Sequence, residues 1–83
     1  MEAGVLMDYG KIMEWQRGTK PERIAADLAT QIQTGKLGKW DELPLNRVLA
    51  DKWGVTQRTI TTAKSLLAQE GLLKLTGRRY YVA

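Results

Sequence analysis

The sequence predicts a mainly α-helical fold that ends in a small β-hairpin. Three stretches have apolar residues at helical spacing: 21–34, 45–53 and 56–70. A tight glycine turn at Gly54 separates the second stretch from the third. Two β-favouring runs follow, residues 72–75 and 79–82. This order predicts a winged helix-turn-helix, with a three-helix core, a C-terminal wing and a possible extra N-terminal helix.

Local capping signals mark the helix ends with unequal strength. Thr19-Lys20-Pro21-Glu22 has the spacing of a capping box, so either Thr19 or Lys20 is the cap of the first core helix. Thr56 is a good cap for the third helix, over residues 56–70. The second helix starts near Leu45, which is a poor cap. Its face of Leu45, Val48, Leu49 and Trp53 is expected to turn inward.

The first 20 residues form a separate unit from the winged helix-turn-helix domain, residues 21–83. Their apolar stripe includes Leu6, Tyr9 and Met13. Two interpretations are open: a frayed arm, or an extra helix that covers the core or pairs with a second copy. Between the first and second core helices, Leu37, Trp40 and Leu43 are expected to anchor an extended connector. Trp40 and Trp53 are expected in the core rather than as base-stacking platforms.

Charge is distributed unevenly along the chain. The net charge is +4, and residues 55–83 carry all of it, with five cations against Glu70 alone. Such asymmetry is typical of a surface that binds a polyanion. The alternative is a solvated surface that happens to be basic. The predicted third helix adds donors without acids, which suit phosphates and base edges in a DNA groove.

Composition argues against an enzyme. The sequence has neither cysteine nor histidine, which removes the commonest general base and the commonest zinc ligands. We therefore expect no catalytic residues, no metal and no cofactor. No apolar run is long enough to cross a membrane, and we see no signal peptide. We expect a cytoplasmic protein.

From Pro21 to the C-terminus, about 63 of the 83 residues, the chain resembles the DNA-binding domain of the GntR family of bacterial transcription regulators. The motifs that carry the resemblance are Ile24-Ala25 with Leu28 and Ile32 before Gly35-Lys36-Leu37, Leu43-Pro44 with Arg47, Leu49 and Ala50, Trp53-Gly54-Val55-Thr56 with Thr59 and Ile60, Leu67 with Glu70-Gly71-Leu72, and Gly77 before Tyr81-Val82. The resemblance implies a dimer on a two-fold operator, with the third helix in the major groove and the wing tip near the minor groove.

The resemblance also implies particular DNA contacts. Together with the charge pattern it gives this predicted set: Arg47, Thr56, Gln57, Arg58, Thr59, Thr61, Lys64, Gly77, Arg78 and Arg79. Two members have competing interpretations. Arg47 could instead pair with Asp51 one turn later, and Lys64 is expected to contact the DNA backbone or to be merely solvated.

This sequence departs from the family pattern at three positions. The family commonly has serine where Leu45 stands, arginine where Gln57 stands, and a second wing glycine where Arg79 stands. Glutamine pairs with adenine where arginine prefers guanine, so base preference is expected to differ by about 1–3 kcal/mol per contact. The wing is expected to be stiffer and more basic.

The predicted function is sequence-specific binding of double-stranded DNA by a transcription regulator, using helix 56–70 and wing 72–82. The resemblance places it at the bacterial nucleoid, and we expect it to act as a repressor that blocks a promoter. The alternative is a winged-helix protein-interaction module that does not bind DNA.

Family members usually continue into an effector-binding and dimerisation domain. Because this sequence ends with the wing, it is either a fragment or a free-standing regulator without an effector ligand. In the second case Leu6, Tyr9 and Met13 are candidates for homodimerisation.

Overall fold

A computed structural model describes residues 9–83, with side chains from residue 10 onward. Within that range the elements are four helices and one two-stranded antiparallel sheet: α1 Tyr9–Gln16, α2 Lys20–Gln33, α3 Asn46–Trp53, α4 Gln57–Gln69, β1 Leu73–Thr76 and β2 Arg79–Val82. The predicted mainly helical fold with a C-terminal hairpin is confirmed. No helix in residues 9–83 has both the length and the apolar character that a membrane crossing requires.

The core lies between α2 and α4. Its most deeply buried large side chains are Ile24, Leu28, Ile60, Leu67 and Leu72. Each such side chain contributes about 1.5–3 kcal/mol by leaving water. Helix α1 packs against α2, and α3 and β1 pack against α4, so α4 is held by three elements and keeps one face for solvent.

Thr19, rather than Lys20, caps α2. The amide of Glu22 donates to the Thr19 hydroxyl at 3.4 Å, and the amide of Thr19 donates to the Glu22 carboxylate at 2.7 Å. This reciprocal pair is a complete capping box. Thr56 caps α4 in the predicted way by accepting from the amide of Thr59 at 3.2 Å.

The start of α3 is weakly capped, as the sequence predicted. Leu45 stands at the cap position and makes no side-chain cap bond. Asn46 donates instead to the hydroxyl of Thr61 on α4, at 3.0 Å. The prediction that Leu45 and Val48 turn inward was wrong, because both are about half exposed. This eight-residue helix gives the core only Leu49 and Ala50, and Trp53 packs partly against it.

Part of the N-terminal unit is a helix that covers the core. Ile12 and Trp15 of α1 are 3% and 4% exposed and belong to the core cluster. Lys11 forms an ion pair with Glu70, at 3.7 Å, which ties α1 to the end of α4. Of the proposed dimerisation residues, Leu6 and the side chain of Tyr9 lie outside the described residues, and Met13 is 47% exposed.

The connector between α2 and α3 runs along β2 as a third, irregular strand. The amide of Leu43 donates to the Tyr80 carbonyl at 2.9 Å, and the amide of Val82 donates to the Asp41 carbonyl at 2.8 Å. Leu43 is buried as predicted. The sequence indicated an extended segment here, but nothing local in it indicated pairing with the wing.

The exposed position of Trp40 contradicts one prediction. This residue was expected in the core, but its side chain is 63% exposed. Its backbone has φ 75°, in the left-handed region that large side chains rarely adopt. The amide of Trp40 donates to the Val82 carbonyl at 2.9 Å, which fixes the backbone while the ring stays outside. The Lys39 ammonium lies 5.3 Å from the ring centroid.

The wing turns over two residues, Gly77 and Arg78, because Thr76 pairs with Arg79. Gly77 has φ 64°, and Arg78 does not have a positive φ. A positive φ at the first turn residue alone is the pattern of a type II′ hairpin, which favours glycine there. Strand β1, Leu73–Thr76, therefore begins and ends one residue later than the predicted 72–75.

Candidate nucleic-acid interface

A groove of about 420 Å³ lies where the first turns of α3 and α4 face the wing. The connector between α2 and α3 contributes to its lining. Its lining residues are Glu42, Leu43, Leu45, Asn46, Arg47, Gln57, Lys64, Arg78, Arg79 and Tyr80. Five of the predicted DNA-contact residues are in this set, so the fold brings together side chains from α3, α4 and the wing.

The groove is predominantly basic. Its lining holds four cations, Arg47, Lys64, Arg78 and Arg79, against the single carboxylate of Glu42. Positive charge concentrated in a concave surface raises the local potential more than the same charges spread over a convex one. The excess of cations seen in residues 55–83 therefore has a location in the fold.

The solvent face of α4 next to the groove has no acidic residue. Gln57, Arg58, Thr61 and Thr62 are all exposed. Within the described residues, the Gln57 side-chain amide makes no hydrogen bond and the Arg58 guanidinium makes no ion pair; only their backbone carbonyls accept bonds. Both stand in the first turn of α4, directly after its cap. Their side chains are thus available to an external partner.

The threonine hydroxyls of this region already have partners within the chain. The Thr56 and Thr59 hydroxyls lie 3.1 Å apart and share one hydrogen bond. The Thr61 hydroxyl donates to the Gln57 carbonyl at 3.2 Å and accepts from Asn46. A hydroxyl has one hydrogen and two lone pairs. Thr61 is therefore left with one acceptor position and an apolar methyl group.

Lys64 does not have the place that the sequence predicted. It was expected to contact DNA or to be solvated, but it is 4% exposed. Its ammonium donates to the Pro44 carbonyl at 2.7 Å. Burial lowers the pKa of Lys64 from 10.5, and the negative charge of Glu42 opposes that shift. Lys64 therefore has a structural role, because its hydrogen bond links α4 to the connector.

The other predicted cations differ in whether their side chains form ion pairs. Arg78 is exposed in the wing turn next to Gly77. Arg79 donates from Nη1 to the Glu42 carboxylate at 2.8 Å. Arg47 is exposed, and the described residues contain no ion pair between it and Asp51.

Sequence reasoning missed Glu42 and Asn46 as parts of this site. Glu42 meets Arg79 across 37 positions of sequence, and Asn46 meets Thr61 across 15. Extended Leu43-Pro44 was a local signal for the connector. Its partner strand could not be deduced from that signal.

The comparisons with known proteins agree with this geometry. Residues 20–81 match the family described as bacterial regulatory proteins, gntR family. This chain belongs to the GntR family. It is similar to the HTH-type transcriptional repressor NagR of Bacillus subtilis (strain 168), with 39% identity over 62 residues, 74% of this chain and 26% of NagR. The GntR-family chain thus spans about a quarter of that relative's length.

The GntR-family fold is also found in a solved structure, YtrA from Sulfolobus acidocaldarius, a GntR-family transcription factor. The TM-score is 0.74 at 29% identity, and the match covers 95% of this chain and 80% of that one. The family resemblance and the winged helix-turn-helix fold predicted from the motifs are confirmed.

Residues 9–83 contain no cluster of side chains suited to holding a metal ion.

Proposed function

We propose that this chain binds double-stranded DNA sequence-specifically and regulates transcription, with α4 in the major groove and the wing beside it. The observation that carries the proposal is the acid-free first turn of α4, whose exposed Gln57 and Arg58 side chains have no partner within the described residues. This turn lies next to a groove lined by three exposed arginines. A helix about 10–12 Å across fits the major groove, which is about 12 Å wide.

Gln57 and Arg58 are the proposed base-reading residues. They project from the first turn of α4, which is the part of a recognition helix that meets base edges. Glutamine can pair with adenine through two hydrogen bonds, and arginine with guanine. Neither side chain has a partner within the described residues, which supports this role. Thr59 and Thr61 lie beside them, and Thr61 offers a methyl group suited to thymine.

Phosphate contacts are proposed for Arg47, Arg78 and Arg79, with Thr56 at the DNA surface and Gly77 where the wing comes closest. Arg47 on α3 and Arg78 in the wing turn both line the groove. Contacts of this kind fix the register of the protein on the duplex and add affinity that does not depend on sequence.

The biological setting follows the family. We infer that two chains bind a two-fold operator in the bacterial cytoplasm, each reading one half-site. Repression is the proposed outcome, by obstruction of a promoter, because the related NagR is a transcriptional repressor. Dimerisation through the N-terminal stripe, Leu6, Tyr9 and Met13, is also a proposal.

A second candidate is a protein-interaction module. The half-exposed Leu45 and Val48 on α3 favour it, because protein interfaces use exposed apolar anchors. The basic groove beside Leu45 favours DNA instead.

Selection of duplexes from a random pool tests the DNA proposal. We expect enrichment of a two-fold motif by the wild type. Arg58→Ala should lose about tenfold or more in affinity for the selected duplex. Lys36→Ala removes an exposed cation that does not line the groove and is the control, with affinity near that of the wild type. Failure to enrich any sequence, even with two chains tethered, would favour the protein-interaction candidate.

A further inference from the structure

We propose that Glu42 is an internal competitor of DNA phosphate for Arg79, and that it thereby limits how strongly the wing binds DNA of any sequence. The inference rests on the proposed function. Glu42 is the one carboxylate among the groove-lining residues. Its position inside a surface that suits an anion needs a physical explanation.

The carboxylate is held in place by the backbone. The connector is fixed to β2 on both sides of Glu42, by the bond from Leu43 to Tyr80 and the bond from Val82 to Asp41. Glu42 itself forms a bridge with Tyr81. Leu43, the next residue, is buried. The backbone of Glu42 therefore stays beside the groove unless part of this pairing breaks, although its side chain can rotate away from Arg79.

Arg79 already forms an ion pair with Glu42 on the surface where DNA is proposed to approach. Its Nη1 lies 2.8 Å from the Glu42 carboxylate, and the two side chains are 60% and 33% exposed. An exposed pair of this kind is weak and opens readily in water. A phosphate can therefore take Arg79 from Glu42, but it must first displace the carboxylate and then lie near its negative charge.

Arg78 provides the contrast within the same wing. It is exposed at the turn and has no ion pair within the described residues. Arg78 thus meets a phosphate without competition, whereas Arg79 does not. Of two adjacent arginines, one is free and the other is restrained by Glu42.

The test is the Glu42→Gln variant, which keeps the size of the side chain and removes its charge. Binding to a mixed-sequence duplex is measured over a series of salt concentrations, with circular dichroism to verify the fold. We expect affinity to rise about three- to tenfold at low salt. The slope of log association constant against log salt should steepen by about 0.9, the value for one added phosphate contact.

Glu70→Gln is the matched control. Glu70 is 35% exposed and pairs with Lys11, much as Glu42 is 33% exposed and pairs with Arg79, but it does not line the groove. Glu70→Gln should bind like the wild type. In an Arg79→Ala background, Glu42→Gln should change affinity by less than about twofold, because the contested cation is gone.

Three results would overturn the inference. Glu42→Gln could keep the affinity and the salt slope of the wild type. Its affinity could rise no more than that of Glu70→Gln. Its gain in affinity could also persist in the Arg79→Ala background. In each case a wild type that still binds DNA leaves the proposed function intact. If neither the wild type nor Glu42→Gln binds DNA at the lowest salt, even as tethered dimers, the proposed function fails together with the inference.

Discussion

The ammonium of Lys64 on α4 donates a hydrogen bond to the backbone carbonyl of Pro44, at 2.7 Å. Pro44 stands two residues before α3 begins, so this bond connects α4 to the start of the helix before it. The Lys64 side chain is 4% exposed. The relative placement of α3 and α4 therefore depends in part on a buried cation.

Lys64→Met should lower the free energy of unfolding by about 1 kcal/mol at pH 7. The variant keeps the apolar stem but leaves the Pro44 carbonyl without its donor, which costs about 1–3 kcal/mol. Relief of the buried charge offsets part of that loss. Urea unfolding measures the change. Lys74→Met, at an exposed position on β1, is the control and should stay within about 0.5 kcal/mol of the wild type.

The same residue predicts a pH dependence with a definite sign. Burial lowers the pKa of Lys64 below 10.5. Between the lowered pKa and 10.5 the unfolded chain holds more protons than the folded chain, so stability rises with pH in that window. From pH 7 to pH 11 the wild type should therefore gain stability relative to Lys64→Met. Parallel curves for the two proteins would show that burial does not disfavour the charged form.

Thr19→Ala should destabilise the protein by about 1 kcal/mol, because it removes the hydroxyl that caps α2. The loss should appear as a drop of about 4–8 °C in Tm. Thr30→Ala, within the same helix, is the matched control. The Thr30 hydroxyl only donates to the Ala26 carbonyl, so this change should leave Tm unchanged or raise it. Equal effects of the two changes would contradict a capping role.

Leu45→Ser should be more stable than Leu45→Ala by about 1 kcal/mol, because serine can cap the free amides of α3. Leu45 has the extended backbone of a cap residue, with φ −61° and ψ 149°, but no side-chain cap bond. Both variants lose the same leucine packing, so their difference isolates the cap. Thermal unfolding of the pair measures it, and equal melting temperatures would show that the position cannot cap.

Local signals in the sequence predicted most of the fold. The capping box at Thr19, the cap at Thr56 and the turn at Gly54 each depend on a few neighbouring residues, and all three are in the structure. Helical spacing of apolar residues likewise located the main core positions of α2 and α4. Such features need no knowledge of the tertiary arrangement.

The errors concern contacts between distant parts of the chain. Lys64 lies four residues after Ile60 and three before Leu67, so helical spacing places it on the buried face of α4, and its charge alone suggested solvent. Only the fold brings Pro44 to it across 20 positions. Trp40 looked like a core residue by its size, but the connector's pairing with β2 fixes its backbone at φ 75° and leaves the ring outside. The pairing of Glu42 with Arg79 depends on the same connector.

Salt-dependent binding to a mixed-sequence duplex tests the central claim most directly. Within the described residues, Arg47, Arg58 and Arg78 are the exposed cations of the proposed interface that have no ion pair. A mixed-sequence duplex offers Arg58 no selected base, so all three are counted as phosphate contacts. At about 0.9 per phosphate, three contacts predict a slope near −3 per bound chain in log association constant against log salt. Arg78→Ala should make the slope shallower by about 0.9. No affinity at the lowest salt, for the chain and for a tethered dimer, would contradict the claim that this surface binds DNA.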